Sequence, residues 1–245
     1  MLRQYQADLH VHTCLSPCAD DDMKPHAIVN QAKKKGLDIV AICDHNSTKN
    51  VEAVQLAAKQ EDLTVIGGME ICSQEEVHIL GLFNGPESLK QMQTIIDKNL
   101  TGENNPEFFG DQHLCDEHDE IVGREMKLLI GAVKLTVEQI VDSIHSLGGL
   151  AIASHVDREY FSIYSQLGFI PEGLPLDALE ISQLHSKAEI KKKFPQTENF
   201  VLVSSSDAHQ LDNIGSVSTK FTGKSPSFEE FRKALFSKQG RQILN

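Results

Sequence analysis

The sequence predicts an α/β barrel, with parallel strands joined by crossover helices and a functional site where the strands end. Two observations carry this. Short β-rich apolar runs alternate with helical stretches along the chain, the pattern of a parallel sheet with helices outside it. Residue types able to bind metals recur at the ends of the predicted strands, which a parallel barrel gathers into one mouth. A length of 245 residues suits one such domain, and 40% hydrophobic residues supply its core. That core must be mostly aliphatic, because Trp is absent and aromatics reach only 6%.

The elements follow in order. Residues 9–13 form the end of a first strand. Residues 24–35 read as a helix, with Pro25 in its first turn and Gly36 as its stop. The run 37–43, apolar apart from Asp38, predicts a buried parallel strand, and residues 51–60 a helix. Residues 64–71 and 77–83 are strands. Residues 136–147 form a helix opened by a capping box, Thr136 and Gln139, and closed by Gly148 and Gly149. Residues 150–155, 178–182 and 200–206 are strands. A second capping box, Ser227 and Glu230, opens a last helix to about residue 238. The stretch 99–127, with Gly, Asn, Pro and an acidic run, breaks the alternation, which then resumes. It reads as an insertion or lid within a single domain over residues 1–245. His113 and His118 within it lack partners at ligand spacing and read as solvated loop residues. The lysine runs 33–35 and 191–193 read as solvated charges at helix ends.

Composition narrows the function. A formal net charge of −12 disfavours broad binding to nucleic-acid phosphates, although cations held by the carboxylates would still admit a small anion. Five cysteines without a C-x-x-C pair suggest reduced thiols rather than a disulfide framework. Residues 1–9 lack the apolar core of a secretory signal, and the longest clean apolar run, 39–43, is too short to span a bilayer. A cytoplasmic protein without a membrane partner is expected.

The candidate ligands are defined by position. His10 and His12 are two apart in an extended segment, so both imidazoles face one side. Asp44 and His45 follow the second strand, Glu70 lies near the end of the third, and His155 ends another. Asp207 and His209 follow the last, again two apart. His78 starts a strand and is the exception. A lone histidine near a strand is more often a core or surface residue than a ligand. Nine nitrogen and oxygen donors, all but His78 at strand ends, are hard to explain as packing, because burying them is costly unless they are paired or metal-bound. Imidazole with carboxylate suits Zn²⁺, Mn²⁺ or Fe²⁺ and does not resemble a closed cysteine zinc site. The donors are too many for one tetrahedral ion. Two or more ions a few ångströms apart can bind a bridging hydroxide and clamp phosphoryl oxygens.

The segments Asp8-Leu9-His10-Val11-His12-Thr13, Cys43-Asp44-His45-Asn46, Gly68-Met69-Glu70 with His78, Ser154-His155 and Ser206-Asp207-Ala208-His209 resemble, in order, the motifs of the PHP (polymerase and histidinol phosphatase) family. The resemblance implies a distorted (β/α)₇, TIM-like barrel with two or three divalent ions. It implies that His10, His12, Glu70 and Asp207 hold one ion, and that Glu70, His78 and His155 hold a second with Glu70 bridging. His45 and His209 would hold a third, helped by a residue after the first motif. Relatives often have Asp or His at that point. This chain offers Cys18, with Asp20 as the alternative and a buried structural cysteine as the plain reading.

The expected activity is that of a metal-dependent phosphoesterase. It would hydrolyse a small phosphate monoester or nucleotide-type phosphoester through a hydroxide bridging the metals, with Asp207 or His209 handling a proton. The expected partner is a small phosphorylated substrate, a nucleotide or oligonucleotide end among the choices; fold and metal set do not decide between them. Arg158, three residues past His155, can present a planar fork to phosphate. Some relatives with a His-Pro-x-Arg segment resemble this spacing, with Val156 here in place of proline. The plain reading is an exposed arginine paired with Asp157 or Glu159. Two other functions stay open. One is an amidohydrolase-type enzyme, disfavoured because no motif residue is the strand-end lysine such sites normally use. The other is a non-catalytic, metal-binding regulatory module.

Overall fold

The computed structural model describes residues 1–182 and 185–244. The first half of the chain runs β1 (Arg3–Val11), α1 (Pro25–Lys34), β2 (Ile39–Ile42), α2 (Val51–Ala57), β3 (Thr64–Cys72), β4 (His78–Phe83), α3 (Pro86–Asn99), α4 (Pro106–Phe109), β5 (His113–Cys115) and β6 (Ile121–Arg124). The second half runs α5 (Val137–Ser146), β7 (Leu150–Ala153), α6 (Ile163–Leu167), β8 (Ala178–Ile181), α7 (Lys187–Lys193), β9 (Leu202–Ser204), β10 (Thr219–Gly223), α8 (Phe228–Leu235) and β11 (Ile243–Leu244).

Among the described residues the main sheet has nine strands in the order β11-β10-β1-β2-β3-β4-β7-β8-β9. The chain after β9 returns to β1: Ala208 bridges Val11 in parallel, and the His12 amide donates to the Ala208 carbonyl at 2.9 Å. This nearly closes the sheet into a barrel at the mouth. At the other end β10 runs antiparallel to the start of β1, from Arg3↔Gly223 to Ala7↔Thr219.

The strands are not all parallel, as the sequence pattern alone suggests. β4 is antiparallel to both β3 and β7. The cause is the short link 73–77, which cannot hold a crossover helix and must turn back as a hairpin. Cys72 therefore pairs with His78, and the start of β4 lies at the same end of the barrel as the C-terminal ends of its antiparallel neighbours β3 and β7. The apparent exception in the ligand pattern, His78, disappears.

Packing has two layers. Ala7, Leu9, Ile39, Ala41, Leu80, Leu82 and Val203 form one buried cluster inside the barrel. Val40, Ile42, Ile79 and Leu179 alternate with them and join a second cluster with residues of α1, α2, α3 and α5. The alternation is the strand period of two expressed on both faces. Phe228, Phe231 and Leu235 of α8 belong to the inner cluster, and the Phe231 ring meets Phe221 edge-on at 5.5 Å. The segment around α8 is tied to Thr64, Asn84 and Gly148, residues at the strand ends away from the mouth, so α8 plugs that end. The box predicted at its start is half formed. Ser227 accepts from the Glu230 amide, but the Glu230 carboxylate turns to Lys224 and Arg241 instead. The Thr136–Gln139 box is complete.

The stretch 99–127 is ordered structure: α4 and the β5–β6 hairpin, docked beside the mouth. The His113 amide donates to the Cys14 carbonyl at 3.0 Å, and the Asn50 side chain links the His113 carbonyl to the Cys115 amide. This docking buries His113, contrary to the solvated reading, whereas His118 is exposed as expected. The Cys14 and Cys115 thiols meet at 3.4 Å across this contact, and all five cysteines are free. No helix among the described residues is long and apolar enough to cross a membrane.

Candidate metal centre

Local backbone irregularities aim the donors. β1 shifts register against β2 between Asp8 and Val11, a bulge. Upstream of it Ala7 and Leu9 face the barrel interior; downstream His10 and His12 do so, which is the re-aiming a bulge permits. On β3 a side chain at Gly68 would meet Cys43 Sγ and Leu82 Cδ2, each at 2.8 Å, so only glycine lets the strand run this close on its way to Glu70. Asn46, His155 and Asp207 follow strand ends with φ of 49°, 27° and 49°, in the left-handed region that disfavours side chains. Strain of this kind persists only where the surrounding packing overrules it, and here it gathers at the mouth.

Glu70 is the hub. Its Oε1 lies 3.0 Å from His78 Nδ1, 3.2 Å from His155 Nε2 and 3.4 Å from His10 Nε2. Its Oε2 lies 3.0 Å from His45 Nδ1 and 3.4 Å from His12 Nε2. Asp207 Oδ1 is 3.1 Å from His12 Nε2 and 3.3 Å from His10 Nε2 but makes no hydrogen bond, although buried.

Hydrogen bonds behind the rings set the tautomers. His10 Nδ1 donates to Glu180 at 3.0 Å. Ser16 Oγ spends its proton on Asp44, so it accepts from His12 Nδ1 at 2.9 Å. Against burial, Asp207 and Glu70 raise the pKa of both rings; in their neutral form both would turn bare Nε2 lone pairs toward each other, 3.1 Å apart, and toward those carboxylates. Lone pairs converging in this way, with an orphaned carboxylate oxygen among them, fit a divalent cation of nitrogen- and oxygen-loving type.

The charges agree. Burial raises the Glu70 pKa, but His78, His10 and His12 outweigh it and hold the carboxyl well below its usual range. Asp207 is held down in the same way against its burial, chiefly by His10 and His12. Burial, reinforced by His12, pushes His209 down to about 3, leaving it neutral.

Three groups of donors stand within 4.8 Å of one another: His10, His12, Glu70 and Asp207; His45, Glu70 and His78; and His12, His45 and His209. The first is the set the resemblance implies for one ion. The other two redistribute the rest: His45 joins Glu70 and His78, while His155 reaches Glu70 from outside these groups. Cys18 is exposed, not a buried structural cysteine, and belongs to none of the three. Its thiol nevertheless hydrogen-bonds His45; together with Glu70 this raises the His45 pKa against burial and the charge of His12. Asp20 is exposed and its amide is tied to the His209 carbonyl. Arg158 pairs with Asp207, not with Asp157, whose carboxylate is engaged by Ser182.

Sequence reasoning missed Glu180. It sits in the otherwise apolar β8 beside inward-facing Ala178, fully buried, a placement tolerable only with a partner such as His10. Asp44, grouped with the strand-end donors, instead organises the loop after β1 by accepting from Thr13 and Ser16.

The site opens as a cavity of ≈ 260 Å³ lined by His45, Glu70, His78, His155, Arg158, Tyr160, Phe161, Asp207 and His209. Size alone points elsewhere, to a ≈ 650 Å³ groove between α2 and α3, but its lining holds none of the converging donors.

Comparison with known proteins agrees with this geometry. A 5'-3' exoribonuclease of Haemophilus influenzae is 33% identical over 85 residues, which is 34% of this chain and 29% of that protein. The lesion-specific endonuclease EndoQ of Pyrococcus furiosus superposes with a TM-score of 0.76 at 20% identity, over 98% of this chain and 58% of its own. An endonuclease Q bound to a 27-mer duplex gives 0.73 at 21% identity, with the same coverage of 98% and 58%. The chain thus spans well under two thirds of these relatives. The family model for the PHP domain matches residues 8–243, and with that span the chain belongs to the PHP domain family.

Proposed function

We propose that this chain is a metal-dependent phosphoesterase acting on a phosphate monoester or nucleotide-type phosphoester. The observation that carries the proposal is the convergence of two acidic side chains and six imidazoles on one buried point, with Glu70 in reach of five of the rings. Relatives named as an exoribonuclease and an endonuclease support phosphoester chemistry. His10, His12, Glu70 and Asp207 would hold one ion. Glu70 with His45, His78 and His155 would hold a second, and His12, His45 and His209 mark a third position that Cys18 can approach. When bound, the ions supply a nucleophile at neutral pH and neutralise charge on the phosphoryl oxygens.

The remaining steps belong to side chains. Arg158 binds a phosphoryl oxygen at the cavity wall. His209 spends Nδ1–H on the Asp207 carbonyl at 2.9 Å, and its bare Nε2 is free to take a proton or join an ion. Glu180 orients His10. Replacing Glu180 with Gln should weaken metal binding by about 10–100-fold, the usual cost of losing a carboxylate behind a ligating histidine. Competition with a chromogenic chelator measures this, and unchanged affinity would return Glu180 to a packing role.

The activity test uses protein purified without chelator. It should contain at least about two equivalents of Zn, Mn or Fe, and hydrolyse members of a phosphoester panel in a manner lost with chelator and restored by Mn²⁺. Activity confined to amides or lactones would support an amidohydrolase instead. Bound metal without any hydrolysis would leave a regulatory module.

A further inference from the structure

Aromatic side chains are scarce in this chain at 6%, yet two adjacent ones stand exposed at the rim of the metal cavity. Tyr160 is 72% exposed and Phe161 40%. They are held rather than loose. Phe161 adopts a φ of 55° and stacks on the His78 ring, with centroids 4.7 Å apart and planes 15° from parallel. The His78 amide donates to the Phe161 carbonyl at 2.9 Å, and the next residue, buried Ser162, ties back to the Arg158 carbonyl at 2.8 Å. Arg158 and the aromatic pair are thus one braced loop. The packing upholds a strained aromatic residue whose ring half faces solvent, and the apolar core gains little from it.

The inner cavity wall is imidazole, carboxylate and guanidinium, with aromatic surface only at the rim. At ≈ 260 Å³ the cavity is below the range of about 300–1,000 Å³ that encloses a drug-sized ligand, so part of a nucleotide would remain outside. With a net charge of −12 the surface does not favour tracking a long polyanion. We infer that Tyr160 and Phe161 form a stacking rim for the nucleobase of a nucleotide or strand end whose phosphate lies beside Arg158. This rests on the phosphoesterase reading and names its substrate class.

The test compares kcat/KM of the metal-loaded enzyme on 5'-AMP and on ribose 5-phosphate, which differ by the base. Tyr160→Ala should lower the ratio of the two by about 5–150-fold, the range expected for one stacked base. Tyr160→Trp should restore it, since indole stacks at least as well. Because the chain has no Trp, this variant also carries a single reporter, whose fluorescence AMP should quench saturably and ribose 5-phosphate should not. An unchanged ratio in Tyr160→Ala, or equal quenching by both compounds, overturns the stacking rim and leaves the phosphoesterase standing. Saturable quenching by AMP alone in a protein that hydrolyses no phosphoester supports the rim while removing the phosphoesterase.

Discussion

Asp207→Asn and His12→Ala should each cut phosphoester turnover by well over about 100-fold, since the loss of a supporting group behind a ligand already costs about 10–100-fold. Asp207 Oδ1 sits 3.1 Å and 3.3 Å from the His12 and His10 Nε2 atoms and has no hydrogen bond of its own. Asparagine keeps the shape but loses the charge, and its NH₂ group can turn a donor toward the point where a cation belongs. His12 is shared by two of the three donor groups, so alanine there weakens more than one position. Neither side chain belongs to the two buried apolar clusters, so both variants should keep the circular dichroism of the parent. Elemental analysis should show metal lost in step with turnover. Near-normal turnover in either variant would mean that the reacting phosphate lies away from this cluster.

The site was legible because metal ligands obey chain periodicity. The two pairs spaced by two residues, and the donors just past strand ends, are visible without coordinates. Geometry that depends on pairing partners was not. The inward turn of His10 and His12 relies on a bulge that exists only between β1 and β2. His78 looked misplaced until the short 73–77 link was read as a hairpin, a reading its length already permitted. Glu180 was hidden in a strand too short for its two faces to be told apart by hydrophobicity, although a lone acid in an apolar run is itself a signal. α3 went unassigned, although Pro86 at its start and Glu87 in its first turn are helix-opening residues. The 99–127 stretch lacked a strong period because its hairpin is short and its outer strand β6 is largely exposed. It gains order through Asn50 and Cys14, far away in sequence.

Arg158→Ala should lower kcat/KM on the best phosphoester by roughly 10–150-fold, the equivalent of about 1.5–3 kcal/mol for a charge-assisted hydrogen bond. The arginine lies on the cavity wall with its side chain 37% exposed and its guanidinium on Asp207, a carboxylate only 4% exposed. Without metal, Arg158 pairs with Asp207, whose carboxyl His10 and His12 hold ionised beside Glu70. If Asp207 holds an ion, the guanidinium would be free to present its fork to a phosphoryl group entering the same cavity. If it grips phosphate equally before and during reaction, KM rises and kcat holds; if it engages only the charge that develops in the transition state, kcat falls. Arg158→Lys separates this from simple charge balance. Lysine keeps the positive charge near Asp207 but offers a point donor, so a role in planar two-point recognition predicts that lysine recovers little of the loss. Full recovery by lysine would make Arg158 a general electrostatic partner. An unchanged kcat/KM in Arg158→Ala would confine the residue to pairing with Asp207 in the metal-free protein.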